Sequence, residues 1–298
     1  MKILCIGHAS YDITIPYDGY PIENTKNRVD EKYECGGGPA SNAAFLLGKW
    51  GLDTTFVGVV GDDLYGHRVV KELNSVGVNT KYVEYDHDDE TTLSIIIANK
   101  RNGSRTVIAH RDRSMELEHK LNLKADIILV DGQELRASIE AIENNPRAIT
   151  ILDAGSLKES TIELSKRVRY LVCSKNFAED YTEQKIDISN PDSVVKVYEK
   201  LKKDFKNEII ITLESKGCLY MQDNIIKLMP SIKVTPIDST GAGDIFHGAF
   251  TYCISKGYDI EKTLKISNIT AGLSVTKIGG RNSVFPLEEV MKIYEENI

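Results

Sequence analysis

The chain has no cysteine pair. Cys5, Cys35, Cys173, Cys218 and Cys253 are scattered through 298 residues without one C-x-x-C. Such spacing excludes a disulfide framework or zinc ribbon and leads us to expect reduced, buried thiols in a cytoplasmic protein. Long apolar runs are also missing, so no helical membrane span is expected. The first short run is broken at Gly7 and His8, too soon for the apolar region of a signal peptide. Positive charge is in short supply, with 37 Lys and Arg against 44 Asp and Glu. A net charge of -7 argues against a nucleic-acid partner, whose phosphates need clustered Lys and Arg. There is no G-x-x-x-x-G-K-[ST] loop, and neither "GGGPAS" nor "GAGDIF" completes a dinucleotide fingerprint. Repeats, low-complexity stretches and linkers are absent as well.

What is present is globular in composition, 41% hydrophobic and 27% charged. "KILCIGHA" (2–9) and "TTFVGVVG" (54–61) read as buried strands. Pro39 opens a helix that ends before Gly51, and an amphipathic helix follows over 63–77. Three short strands, 81–86, 91–99 and 105–110, then come with turn residues and no helix between them. With part of 13–35 they are expected to form a small antiparallel β-flap, or lid, over 13–35 and 81–110. Continuous apolar runs then return in "ADIILVDG", "AITILDAG", "RYLVCS" and "EIIITLES", as strands covered on both faces do. The segments between them are long enough for helices, which gives βαβ units. "CLYMQDNIIKLMP" reads as a hairpin, and 245–257 and 260–277 as helices. The expectation is one α/β domain over 1–298, a central mostly parallel sheet flanked by helices and carrying the flap.

The chemistry concentrates in "DSTGAGD", Asp238 to Asp244, which runs directly into a helix. Glycine there lets the backbone turn sharply and lets a ligand approach closely. The first N–H groups of the helix have no partners within it, and its dipole is positive at that end, which makes an anion site. A carboxylate placed beside an anion site repels the anion unless it has a chemical task. General base is the economical one, with the N–H groups of Gly241, Ala242 and Gly243 holding the anion. The alternative reading is that Asp244 caps the helix and the glycines make a tight turn. Asp131 or Glu134 in "VDGQE" stands at the C-terminal end of a strand, where open α/β sheets bind ligands, with Asp131 preferred.

"DSTGAGDIFHGAF" resembles the C-terminal signature of the ribokinase-like (PfkB) carbohydrate kinases. "GGGPASNAAFLLGKWG" resembles their N-terminal signature, "SKNFAED" their N-x-x-E element, and "ITLESKG" their T-L-G-x-x-G nucleotide strand. The motifs occur in family order over nearly the whole chain. The resemblance implies a ribokinase-like fold and transfer of the γ-phosphoryl group of ATP to a primary hydroxyl of a monosaccharide, a ketose such as fructose, or ribose. Asp244 would be the base and Gly241–Gly243 the anion hole.

In the same way, Asp12 would bind sugar hydroxyls, with Gly37, Gly38 and Asn42 lining the sugar pocket. Asn176 and Glu179 would act near the phosphates, Glu179 through water on Mg²⁺. Thr212 and Gly217 would bound the nucleotide cleft and Asn268 would face adenine, unless it is a helix-surface residue. Asp238, Thr240, Ser274, Lys277, Gly279 and Ser283 would hold K⁺. An open flap edge suggests a homodimer.

Two departures from the pattern are Ser239 and Glu214, the latter expected to face solvent or pair with Lys216. Arg105, Arg111 and Arg113 either reach an anionic group or line a solvated flap edge. Competing readings are a nucleoside kinase, with Tyr11, Tyr17 and Phe177 as walls for a base, and a non-catalytic sugar- or nucleotide-binding protein.

Overall fold

The structure, a computed structural model, describes residues 1–111, 115–119 and 121–296. Its strands are β1 (Lys2–Ile6), β2 (Ser10–Tyr17), β3 (Tyr33–Gly37), β4 (Asp53–Gly61), β5 (Asn79–Asp86), β6 (Leu93–Asn99), β7 (Arg105–His110), β8 (Ile127–Val130), β9 (Ile149–Ala154), β10 (Tyr170–Ser174), β11 (Glu208–Thr212), β12 (Cys218–Gln222) and β13 (Ile225–Met229). Its helices are α1 (Pro39–Lys49), α2 (Leu64–Ser75), α3 (Leu135–Asn144), α4 (Glu159–Ser165), α5 (Lys175–Thr182), α6 (Pro191–Asp204), α7 (Ala242–Ser255), α8 (Ile260–Ser274) and α9 (Leu287–Glu296).

Nine strands form the large sheet in the order β13-β12-β11-β10-β9-β8-β1-β4-β5. Neighbours from β11 through β5 are parallel, and the β12–β13 hairpin adds antiparallel pairs at one edge. Alternate side chains of β1 face opposite layers, as strands buried on both faces require. Ile3 and Cys5 pack toward α1, α7 and α8, while Leu4 and Ile6 join the cluster under α3, α5 and α6. All five cysteines are buried and free. Among the described residues no helix is long and apolar enough to cross a membrane.

The flap is a separate four-stranded sheet, β3-β2-β6-β7. β2 pairs antiparallel with β3, β6 antiparallel with β7, and β2 parallel with β6. The segment 81–86, expected in the flap, is instead part of β5 at the edge of the large sheet, parallel to β4. The reason is local. Helix α2 returns the chain beside β4 as an ordinary βαβ crossover, and Val83 is buried there. The flap also takes in Ser10–Tyr17, so the first strand ends at Ile6 rather than running on to Ala9. The C-terminal α9 was not expected.

Helix α7, which begins at the glycine-rich turn, is buried from Ile245 through Ile254. Phe250 is fully buried and meets Tyr170 of β10 edge to face, with ring centroids 5.3 Å apart. Phe250→Ala is expected to destabilise the fold by about 3–5 kcal/mol, the usual cost of truncating a core phenylalanine. Urea unfolding would measure it, and a loss below about 1 kcal/mol would show that α7 is not anchored this way.

Candidate active site

Gly241 caps the N-terminus of α7 in the left-handed region, at φ 74°, a conformation that suits glycine. A Cβ there would lie 3.0 Å from Gly280 Cα, whereas one on Gly243 would meet nothing within 4 Å. The turn is therefore tight on one side and open on the other, with the N-terminus of a 14-residue helix at the opening; of its first amides, Ala242 N makes a long bond of 3.4 Å to the Ser239 carbonyl. The capping residue is Gly241, which overturns the reading of Asp244 as the cap. Asp244 stands in the first turn, and its Oδ2 accepts from Asn42 Nδ2 of α1 at 2.7 Å.

Burial raises the Asp244 carboxyl to about 7, and the charge of Asp153 adds to the rise. The Asn42 hydrogen bond and the charges of His247 and Arg105 oppose it. A carboxyl poised near neutrality suits a general base.

Asp153 and His247 lie beneath this turn and were not singled out from the sequence. His247 Nδ1 is 2.6 Å from the Gly243 carbonyl and 3.1 Å from Asp153 Oδ2, and its Nε2 is 3.0 Å from the Val172 carbonyl of β10. His247 thus ties the first turn of α7 to β9 near its C-terminal end and to the middle of β10. The available sequence signal was Asp153 itself, polar at the end of an apolar strand.

Asp12 of β2 is buried, and its Oδ1 accepts from Ser10 Oγ at 3.0 Å. Burial raises its pKa, opposed by hydrogen bonds from Ser10 and Ser94 and by the charge of Arg281. Gly37 in β3 makes the space, since a Cβ there would sit 2.2 Å from Asp12 Oδ2. Gly38 then caps α1, and Asn42 follows on its first turns. Asp12, Gly37, Gly38, Asn42, Gly241, Gly243 and Asp244 thus belong to one neighbourhood.

Asp131 has a different occupation. Its Oδ2 accepts from His8 N at 2.8 Å and Ala40 N at 3.1 Å, and its Oδ1 from Gln133 N at 2.9 Å. It pins the start of α1 to the ends of β1 and β8. Glu134 accepts from Leu117 N at 3.0 Å, and burial, with the charge of Asp131, lifts its carboxyl to about 7.

On the other side of α7, Ser174 caps α5 by accepting from Phe177 N at 3.0 Å. Asn176 is exposed in the first turn. Glu179, one turn later, accepts from Ile186 N at 2.8 Å and pairs with Lys185 at 2.8 Å and Lys175 at 3.6 Å. Burial pushes Glu179 up, but these partners bring it below the usual carboxylate range. Thr212 ends β11, and its hydroxyl donates to the Cys173 carbonyl at 3.3 Å. Gly217 precedes β12 at φ 97°.

Asn268 of α8 is buried and donates to the Met229 carbonyl at 3.2 Å, so it is not a helix-surface residue. Glu214 is exposed at φ 54°. Its carboxylate faces solvent, while its backbone keeps the left-handed turn that a glycine would take.

The loop after β13 meets the segment after α8 at Asp238. Its Oδ1 accepts from Thr240 N at 2.9 Å and Thr240 Oγ1 at 2.6 Å, and its Oδ2 from Gly279 N at 2.9 Å. Ser274 and Ser283 are buried nearby in the chain, and Ser283 Oγ donates to the Gly280 carbonyl at 2.7 Å. The Lys277 ammonium leaves this loop to lie 3.7 Å from the Phe285 ring centroid.

Arg105 reaches the glycine turn, donating to Ser239 Oγ at 3.2 Å. Burial lowers the Arg111 pKa, while the charges of Glu134 and Asp131 oppose the shift. Arg113 lies outside the described residues. Of the aromatic candidates, Tyr17 is half-buried and its hydroxyl donates to Asn27 Oδ1 at 2.7 Å, whereas Phe177 is fully buried and Tyr11 is buried against Tyr65 with centroids 4.9 Å apart. Neither of these last two offers a free face.

Comparison with known proteins agrees with this geometry. Residues 1–286 match the model of the pfkB family carbohydrate kinases, and the chain belongs to that family. It is similar to the ribokinase of Bacillus subtilis (strain 168), 27% identical over 306 residues that cover 98% of this chain and 99% of the relative. A nucleoside kinase of Methanocaldococcus jannaschii is 25% identical over 308 residues, covering 99% and 97%. The crystal structure of ribokinase from Cryptococcus neoformans var. grubii serotype A in complex with ADP has a TM-score of 0.81 at 22% identity, covering 98% of this chain and 99% of that one. The fold is ribokinase-like, and the class is that of the sugar and nucleoside kinases.

The raised carboxyl of Asp244 bears on stability with a definite sign. A folded-state pKa above the unfolded value favours the native state at low pH, and this contribution is lost as pH rises through about 7. Asp244→Asn is therefore expected to be more stable than the parent at pH 8, on the order of 2 kcal/mol given partial solvent screening. The gain should shrink at pH 5. Urea unfolding at both pH values checks it, and an equal gain at the two would refute the shift.

Proposed function

We propose that the protein is an ATP-dependent sugar kinase that phosphorylates a primary hydroxyl of a monosaccharide, a ketose such as fructose, or ribose. The observation that carries this reading is the Asp244 carboxylate, held by Asn42 at 2.7 Å beside the open glycine turn. The hydroxyl gives its proton to Asp244 as its oxygen bonds to the γ-phosphorus, and the bond from that phosphorus to the β–γ bridging oxygen breaks to release ADP. The N–H groups of Gly241, Ala242 and Gly243 face the charge on the transferring group. The gain comes from positioning and electrostatics, since the transition state is loose. Asp12, with Gly37, Gly38 and Asn42, orients the sugar. Asp131 acts on it indirectly by fixing the loops at His8 and Ala40.

Asn176, Glu179, Thr212, Gly217 and Asn268 are assigned to the nucleotide side, and the ADP complex of the Cryptococcus relative supports an adenine nucleotide as the phosphoryl donor. Among the described residues no group of three or more His, Cys, Asp or Glu could hold a metal ion by itself. Mg²⁺ fits here as it commonly does, carried largely by nucleotide phosphates and water, with Glu179 as an anionic outer partner. The loop formed by Asp238, Thr240, Ser274, Lys277, Gly279 and Ser283 offers hard oxygen donors joined by the Asp238–Gly279 bond of 2.9 Å, chemistry that fits K⁺. Its charge would add to the electrostatics of the anion hole.

The buried, free cysteines support a cytoplasmic setting. The exposed outer strand β7, with Val107 and Ile108 open to solvent, supports a homodimer through the flap. The burial of Tyr11 and Phe177 leaves Tyr17 as the one named aromatic with an open face, which favours a sugar over a nucleoside.

ADP release should be measured across ketoses, aldopentoses, sugar acids, sugar phosphates and nucleosides, with K⁺ and with Na⁺. Turnover of ribose or fructose but not of nucleosides is expected, and turnover of nucleosides alone would overturn the reading. Asp244→Asn should lower kcat by at least ~10²-fold with ATP binding kept. A variant with near-normal kcat would remove the base. Because the carboxyl must be ionised to accept a proton, kcat/KM should fall as pH drops through about 7. A flat profile from pH 5.5 to 8.5 would contradict this.

A further inference from the structure

Arg281 lies in the short 3-10 turn Arg281–Ser283 and is only 2% exposed. Its Nε donates to Asn42 Oδ1 at 3.2 Å. Its Nη1 donates to Glu72 Oε2 at 3.0 Å and to the Val69 carbonyl at 3.3 Å, and its Nη2 to Ser41 Oγ. The cavity is cut for this side chain, since a Cβ on Gly36 would fall 2.2 Å from Nη1. Glu72, which receives the guanidinium, also accepts from Gly36 N at 2.8 Å.

A guanidinium has only donors, whereas an Asn amide has an acceptor on one side and donors on the other. The atom of Asn42 that faces Arg281 must therefore be the oxygen. That leaves Nδ2 turned to Asp244, as the 2.7 Å contact has it. With the amide reversed, two acceptors would face each other at Asp244 and two donors at Arg281. We propose that Arg281 is a positioning residue that locks the amide of Asn42 so that it donates to Asp244, keeping that carboxylate ionised and aimed. This rests on Asp244 being the base.

The groups that face Asp244 are Asn42 from α1, Asp153 from β9, His247 from its own helix and Arg105 from β7. Of these, Asn42 is the one whose polarity depends on which way it is turned. The Asn42 bond lowers the Asp244 pKa against the lift from burial and Asp153, so its loss should raise that pKa.

The test is the pH profile of kcat/KM for the parent, Arg281→Met and Arg281→Lys, with ribose or fructose, whichever is turned over, and with Asp244→Asn alongside. Lysine keeps the buried charge but lacks the Nε donor, so orientation and bulk charge separate. If methionine fails to fold, lysine carries the test. Both variants are expected to move the acid limb up by about one pH unit, the scale of one hydrogen bond to a charged group. That is about a fivefold loss at pH 7 for a group titrating there, recovered by pH 9.

An acid limb within ~0.2 pH units of the parent in the folded variants, while Asp244→Asn still abolishes turnover, would overturn the role of Arg281 and leave the base intact. If Asp244→Asn keeps its turnover, the base reading falls instead. The side-chain amide protons of Asn42 then decide the orientation. In ¹⁵N-labelled protein they should be shifted and slow to exchange in the parent and normal in Arg281→Lys. The same spectrum in both proteins would overturn the lock.

Discussion

One hydrogen bond, Asn42 Nδ2 to Asp244 Oδ2 at 2.7 Å, joins segments 202 residues apart and holds the Asp244 carboxylate at the N-terminus of α7. It links the first turns of α1 and α7, two helices that pack on each other and on the same face of the large sheet. Parallel βαβ packing delivers helix N-termini to the C-terminal edge of the sheet, where their unpartnered N–H groups gather. What the general architecture does not supply is a carboxylate at that positive end with a neutral donor to hold it. Asn42 supplies the donor without neutralising the charge. A lysine there would hold Asp244 more tightly and make it a poorer base.

The same edge shows how closely acids and glycines are fitted. Asp12 has room because Gly37 has no side chain, and the guanidinium of Arg281 because Gly36 has none. These two glycines are adjacent in β3, and they open to opposite faces as successive strand residues do. One face makes room for the Asp12 carboxylate, the other for the guanidinium that bonds Asn42. The doublet in "GGGPAS" is then two cradles with separate occupants. Gly38 completes the run by starting α1, whose backbone N–H at Ala40 is taken by Asp131 at 3.1 Å. An alanine at either cradle would displace a charged group rather than merely crowd a core.

Much of this was legible in the sequence, because the features involved are local. The left-handed Gly241 turn, the proline-started α1, the β12–β13 hairpin and the apolar runs of β8 to β11 each depend on residues close together in the chain. So does the family resemblance, carried by contiguous motifs. What was not legible depends on partners far away. Residues 81–86 have the same short, turn-flanked look as true flap strands, and only the return of α2 beside β4 assigns them to the large sheet. From the sequence Asn268 could face adenine or lie on a helix surface, and only β13 laid against it rules out the second. Tyr11 and Phe177 look available as ligand walls until Tyr65 and the core cover them. Arg281 and Asp153 lie in no quoted motif, and His247, though inside "DSTGAGDIFHGAF", shows its part only in what it touches.

Charge balance around Asp244 then explains why those unannounced residues are needed. Burial alone favours a protonated carboxylic acid, and Asp153 beneath it pushes in the same direction. With only these two influences Asp244 would stay protonated at neutral pH, and the proposed anion hole would lack a proton acceptor. Asn42, His247 and Arg105 pull the other way, from a separate helix, from the same helix and from the flap. The flap term differs in kind from the others. Arg105 sits on the exposed strand β7 and donates to Ser239 beside the glycine turn, so its influence on Asp244 comes from the flap rather than from the core. The helix terms are built into the core and persist whatever the flap does. The Asp244 carboxyl is thus drawn down mainly by groups on α1 and α7 and trimmed by one charge from the flap.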